Sequence, residues 1–256
     1  MSANARRRLE VRTPSTAIYL QDSRCARKIL LARYGRVSPL SFTTGQKATP
    51  DRQLALSQTR TFAMETQDSA EFQFHPVSPQ RLPDLAAFSL CHGKFRYCSC
   101  MRWRMTSAEF RRSSKEQRIV ALEALAGTGA PVGVLAYHEG DPVAWCSVAP
   151  RESYAALERF RTLPRIDDAA VWAVTCFFVD RRFRRQGLTC ALLKAAVDYA
   201  RSQNAAIVEG YPVAPDSPSY TYMGSPETYR RAGFTDVTPA GQDRRVMRFT
   251  IAAEYG

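Results

Sequence analysis

The chain has 256 residues, 45% of them apolar, and a formal charge of +12. That length supports one domain of about 150 to 200 residues with an appendage. No run of ~18 apolar residues is present to span a bilayer, and the N-terminus lacks the apolar core of a secretory signal, so a cytoplasmic protein without a membrane partner is expected. Seven cysteines, an odd number scattered mostly through apolar segments, point to structural thiols rather than a disulfide framework.

The charge sits at the front. Residues 1–63 hold ten Arg and two Lys against Glu10, Asp22 and Asp51, a net of +9, which leaves +3 for the remainder. This leader shows no sustained apolar period and is rich in Arg, Ser and Thr, a composition that predicts disorder. A nucleic-acid or membrane tail, an organellar transit peptide, translated upstream sequence with the true start at Met64, and a plain flexible extension all fit it. The expected organisation is a leader over 1–63 and a domain over 64–256.

From Met64 onward periodicity and punctuation become legible. "EFQFHPVS" alternates as a strand, "PQRLPDLAAFSL" reads as a helix with prolines near its start, and "SAEFRRSSKEQRIVALEALAGTG" reads as one helix ending at Gly127 and Gly129. "VGVLAYHEGDPVAWCSVAP" gives two apolar strands around a hairpin turn at "HEGDP". After a polar, Arg-rich connection come a long apolar strand "AVWAVTCFFV", a helix "TCALLKAAVDYARSQ", a strand "AAIVEGYPV", a short helix "SPETYRRAG" and two closing strands, "FTDV" and "RRVMRFTI". The interleaved order predicts an α+β fold.

The segment "FFVDRRFRRQGLTCALLKAAVDYA" joins the long strand to the helix. Leu188, Ala191, Leu192, Ala195 and Tyr199 recur at helical spacing, so one face is expected to pack on a sheet. At the other end, a strand running through a short loop into a helix N-terminus leaves backbone N–H groups unpaired and a positive partial charge, which together accept phosphate. Arg182, Arg184 and Arg185 reinforce that charge, and Gly187 allows close backbone approach. Neither G-x-x-x-x-G-K-[ST] nor G-x-G-x-x-G is present, which argues against a P-loop or a dinucleotide fold.

"RRQGLT" resembles the acetyl-CoA-binding signature of the GNAT acyltransferase superfamily, [QR]-x-x-G-x-[GA], with Arg184, Gly187 and Thr189 at the fixed positions. Thr189 departs from the usual Gly or Ala and implies a tighter cradle. "YRRAGF" resembles the family's C-terminal Y-x-x-x-G-F motif through Tyr229, Gly233 and Phe234, and the segments "WCSVAPR", "VTCFFV" and "EGYPV" are similar to those of a group of bacterial GNAT-like proteins. The resemblance runs from about residue 72 to 252. It implies a GNAT-like acyl-CoA N-acyltransferase fold, a mixed central sheet splayed to admit the CoA arm and flanked by helices, and acetyl-CoA as acyl donor.

The resemblance also assigns roles. Pyrophosphate is expected on the N–H groups of Gln186, Gly187, Leu188, Thr189 and Cys190, backed by Arg184 and Arg185. Backbone around Phe178 and Val179 is expected to hold the pantetheine arm and the acetyl carbonyl, and Tyr229 to protonate the departing thiolate. Glu209, a carboxylate amid apolar residues of a strand, is the first choice of general base, beside a structural hydrogen bond or a base-free route through water. Asp180 is expected to cap the loop. Trp103 and Arg104 fall where this fold forms its acceptor pocket, an aromatic packing corner being the alternative.

Other features carry less. Cys91, His92, Cys98 and Cys100 lack the paired C-x₂-C spacing of common zinc sites, so no metal is expected. The body has no basic stripe with an RNP-like pattern, which argues against a nucleic-acid partner. The expected activity is acetyl transfer to a primary amine of a small molecule, against the alternative of an inactive acyl-CoA-binding sensor or partner module; a homo-oligomer stays open.

Overall fold

A computed structural model describes residues 72–252. The basic segment 1–63, and with it every expectation placed there, lies outside the described residues. The apolar runs form seven strands: β1 (Gln73–Pro76), β2 (Val134–His138), β3 (Asp141–Pro150), β4 (Trp172–Val179), β5 (Ile207–Gly210), β6 (Thr235–Asp236) and β7 (Met247–Thr250). They make one sheet in the order β1-β2-β3-β4-β5-β7-β6, antiparallel throughout except where β4 and β5 run parallel. Glu139 and Gly140 join β2 to β3 with φ of 50° and 81°, the two left-handed positions that a two-residue hairpin needs.

Eight helices accompany the sheet among the described residues: α1 (Leu82–Cys91), α2 (Gly93–Cys98), α3 (Met101–Arg104), α4 (Ser107–Arg112), α5 (Lys115–Gly127), α6 (Ala155–Glu158), α7 (Leu188–Ser202) and α8 (Pro226–Arg231). The single helix expected over 107–129 is two. Ser114 caps α5, its side chain accepting from Gln117 N at 3.2 Å while Gln117 Oε1 accepts from Ser114 N at 2.8 Å. Thr106 and Glu109 form the same reciprocal box at α4. Such boxes satisfy the first orphan N–H groups, and Ser113 at ψ 141° then closes α4 rather than bridging the two.

One core lies between α7 and the sheet, where Leu188, Leu192, Leu193, Ala196, Val197 and Ala200 are buried against residues such as Val134, Cys146 and Val174. The buried stripe is rotated from the one expected: Ala191, Ala195 and Tyr199 sit at its flank, half-buried, because the larger apolar set at 192, 193, 196 and 197 faces the sheet. A second core packs Leu85, Phe88, Phe95 and Leu122 of the leading helices against Leu135 and Trp145. Helices therefore cover both faces of a mixed sheet. No described helix is long and apolar enough to cross a membrane.

The placement of β5 shapes the rest. It pairs with β4 only through Trp172↔Val208, Ala173↔Glu209 and Val174↔Gly210. Beyond that register β4 continues to Val179 while its parallel neighbour has ended, so the two strands part and one edge of β4 is left without a strand partner.

Candidate active site

Where β4 and β5 part, a cavity of about 1030 Å³ opens. Phe178 and Val179 line it from the free end of β4, Arg184 and Arg185 from the following loop, and residues 187–190 from the start of α7. The loop is held by Asp180, whose carboxylate accepts from Arg182 N at 3.0 Å and from the Arg182 guanidinium at 2.9 Å. Partial burial alone would raise the Asp180 carboxyl, but these hydrogen bonds from Arg182 hold it below the ordinary value. Arg184 turns back on the strand end, its Nε donating to Val179 O at 3.0 Å.

At Gly187 the chain adopts φ 76°, a left-handed conformation, and no side chain caps the helix that follows. A Cβ built there meets nothing within 4 Å, so the glycine answers a backbone requirement and leaves the approach open. The expected run of donors is shorter than the motif implied. Cys190 N already donates to Gly187 O at 2.9 Å, and Gln186 lies outside the cavity lining, its side-chain Nε2 donating to Arg182 O at 3.1 Å. Leu188 and Thr189, in the first turn of the uncapped helix, line this opening, and the first N–H groups of a helix have no partner within it.

Tyr229 lies one layer behind the wall. It is fully buried in α8, and its hydroxyl has no hydrogen-bond partner among the described residues. A Cβ built on Gly210 would stand 2.1 Å from the Tyr229 ring and 2.6 Å from its hydroxyl oxygen, so Gly210 is what lets the phenol reach the point where β5 leaves β4. On the other side Gly224, which lines the cavity, would place a Cβ 3.1 Å from the same ring. Burial pushes the phenol well above its ordinary value, with the Cys146 and Cys176 thiols adding to the shift.

Glu209 is placed differently from a base. It is 2% exposed, and its Oε1 accepts from Arg151 Nη1 at 2.8 Å and from the Tyr211 hydroxyl at 2.6 Å. Its Oε2 accepts from Arg248 Nε at 2.7 Å, and Glu209 does not line the cavity. Arg151, itself 1% exposed, also donates to Glu158 at 2.9 Å and to Leu163 O at 2.7 Å. The carboxylate thus ties the Arg-rich connection after β3 to the sheet, the structural role that had been the alternative. The sequence shows that connection only as polar and Arg-rich, and "WCSVAPR", which ends in Arg151, gives no sign that this arginine is buried.

Trp103 and Arg104 are likewise turned inward. Trp103 is 1% exposed, its ring edge-on to Phe160 at 5.0 Å, and Arg104 donates to Pro131 O, Val132 O and the Tyr154 hydroxyl at 3.3 Å each. Their neighbour Arg102 lines the cavity instead, with Tyr97, Cys98 and Phe110. Hydrogen bonds from Cys100 and Cys176 pull the Cys98 thiol well below its usual value.

Residues 97–218 match the model of the acetyltransferase (GNAT) family. No curated protein matches the sequence. Among solved structures the chain is similar to yncA of Salmonella typhimurium with its cofactor acetyl-CoA, at 15% identity over 72% of this chain and 96% of that one, with a TM-score of 0.43. It is similar to the polyamine N-acetyltransferase of Drosophila melanogaster at 13% identity, 71% and 100% coverage and a TM-score of 0.43. The ribosomal-protein-alanine N-acetyltransferase of Brucella melitensis stands at 19% identity, 70% and 99% coverage and a TM-score of 0.41.

Proposed function

We propose, from the match of residues 97–218 to the model of the acetyltransferase (GNAT) family, that this chain transfers the acetyl group of acetyl-CoA to a primary amine of a small molecule. The observation that supports this most is the parting of β4 and β5 beside Gly210, which opens a cavity that runs past an uncapped helix N-terminus flanked by arginines. An elongated donor with an anionic end and a thioester end fits that arrangement.

In this reading the N–H groups of Leu188 and Thr189, with Arg184 and Arg185, take the pyrophosphate, and the unpaired edge of β4 around Phe178 and Val179 orients the pantetheine arm. The donor supplies an acyl carbon already activated as a thioester. The acceptor nitrogen attacks that carbon as a neutral amine, a C–N bond forms and the C–S bond breaks. Tyr229, whose hydroxyl burial keeps protonated and which stands behind Gly224 of the cavity wall rather than on it, is the acid proposed for the departing sulfur, reaching it and water once that wall gives way. With both oxygens of Glu209 already accepting from arginines, the proton leaving the amine goes to water rather than to that carboxylate.

Calorimetric titration of acetyl-CoA into the full chain tests the donor site, with Gly187→Val as the informative variant. A β-branched residue held at φ 76° costs about 1–2 kcal/mol or displaces the loop, so affinity should fall roughly tenfold or more. Saturable binding by the parent chain with release of CoA thiol on adding an amine supports transfer. Binding with no thiol release for any amine leaves an acyl-CoA-binding module, and no binding by a folded chain removes the reading.

A further inference from the structure

The wall of the cavity contributed by α2, α3 and α4 is aromatic and carries a single charge among the described residues. Tyr97 and Phe110 stand there with Arg102, and Tyr222 lines the same cavity from the turn Thr221–Met223. Arg102 is half-buried, and its guanidinium stands 5.4 Å from the Trp103 ring and 5.9 Å from the Phe110 ring. Other inward-turned arginines bond to the protein through their guanidinium groups: Arg104 to two carbonyls and a phenol though its Nε has no partner, Arg118 to Ser113 and Tyr97, Arg151 to two carboxylates. Arg102 has no hydrogen bond or ion pair to any described residue, and no Asp or Glu among the described residues lines the cavity.

A polycationic acceptor would meet like charge there with no carboxylate to receive its other amines. A carboxylate on the acceptor would find a planar donor fork already oriented by two aromatic rings, the geometry in which Arg binds carboxylates bidentately. Tyr222, whose phenol burial holds protonated, adds a hydroxyl donor on the same cavity. We infer that Arg102 is a carboxylate-binding subsite and that the acceptor is an amino acid with an aromatic or apolar body, not a polyamine or other polycation. This rests on the acetyl-transfer reading and adds the substrate class to it.

The test is CoA thiol release by the full chain with L-phenylalanine, with phenethylamine, which differs only in lacking the carboxylate, and with spermidine. Wild type, Arg102→Gln and Arg112→Gln are compared, the last removing an exposed charge of α4 that does not line the cavity. The expected result is a kcat/KM about tenfold or more higher for phenylalanine than for phenethylamine, collapsing toward parity in Arg102→Gln and kept in Arg112→Gln. Acetyl-CoA affinity, measured by calorimetry, should be alike in all three proteins. Preference for phenethylamine or spermidine, or a phenylalanine preference that survives in Arg102→Gln, overturns the inference and leaves acetyl transfer standing. Acetyl-CoA binding with no turnover of any of the three amines also overturns it, and failure to bind acetyl-CoA at all overturns both.

Discussion

Tyr229 keeps a hydroxyl in a fully buried place without a hydrogen-bond partner, and an unsatisfied buried polar group costs about 1–3 kcal/mol. Removing it should not weaken the fold. Tyr229→Phe is expected to melt at or above the parent temperature, bind acetyl-CoA with similar affinity, and lose about 100-fold or more in kcat, the span of a missing general acid. An equal loss of acetyl-CoA affinity would make the phenol a packing group. Since burial raises the folded value above the reference of about 10, the acid stays loaded through neutral and mildly alkaline pH. The rate should therefore rise with pH as the acceptor amine deprotonates, with no descending limb below about 10. The left-handed turn that opens the helix was legible in "RRQGLT", because Gly187 stands where φ is 76°. Trp103 and Arg104 were not, since each step along a helix turns the side chain by about 100°, and in a four-residue helix the neighbour, Arg102, took the cavity side.

Elements meet through Glu209. The short strand β5 is fastened to the connection after β3 by Arg151 and to β7 by Arg248, whose Nη groups also reach Asp167. Neutralising the carboxylate leaves two guanidiniums under-compensated in a closed cluster, and breaking a buried pair of this kind typically costs about 3–5 kcal/mol. Glu209→Gln should therefore lower the melting temperature markedly while kcat per folded molecule stays close to that of the parent. A large fall in kcat without a thermal shift would return Glu209 to the role of general base. The strand itself was readable from "AAIVEGYPV", as was the helix after Gly187. The division of 107–129 into two helices was not, because helical periodicity continues across Ser113 and Ser114 and only the two capping boxes end one turn and begin the next.

For the molecule as a whole, acid is the informative variable. Asp167 is held below the ordinary carboxyl value chiefly by its hydrogen bonds from Arg248, and Asp236 chiefly by Thr238 and then by Arg245. A group whose folded value is depressed contributes stability that is fully present above its unfolded value of about 3.9 and is lost as pH falls through the folded one. The melting temperature should then fall modestly between about pH 7 and 5, where His75 and His92, held by burial below their ordinary value, charge more readily in the unfolded chain, and drop further below about 4, less steeply in Asp167→Asn. A steep loss already at pH 6 would mean that groups other than these carboxyls govern acid stability.

The sequence by itself determined the order and kind of most elements, the uncapped helix start at Gly187 and the segments that resemble an acetyl-CoA site. Each of these depends on residues close together in the chain: apolar period, turn chemistry, and a glycine where the backbone turns left-handed. Only the tertiary structure decided that β5 ends while β4 runs on, that Arg102 rather than Arg104 lines the cavity, and that Glu209 is occupied. Arg151 and Arg248 stand 58 and 39 residues from the carboxylate they share, and the Tyr229 ring fits only because Gly210 of another element has no side chain. Burial and pairing are set by what arrives from far along the chain, and no local pattern encodes those arrivals.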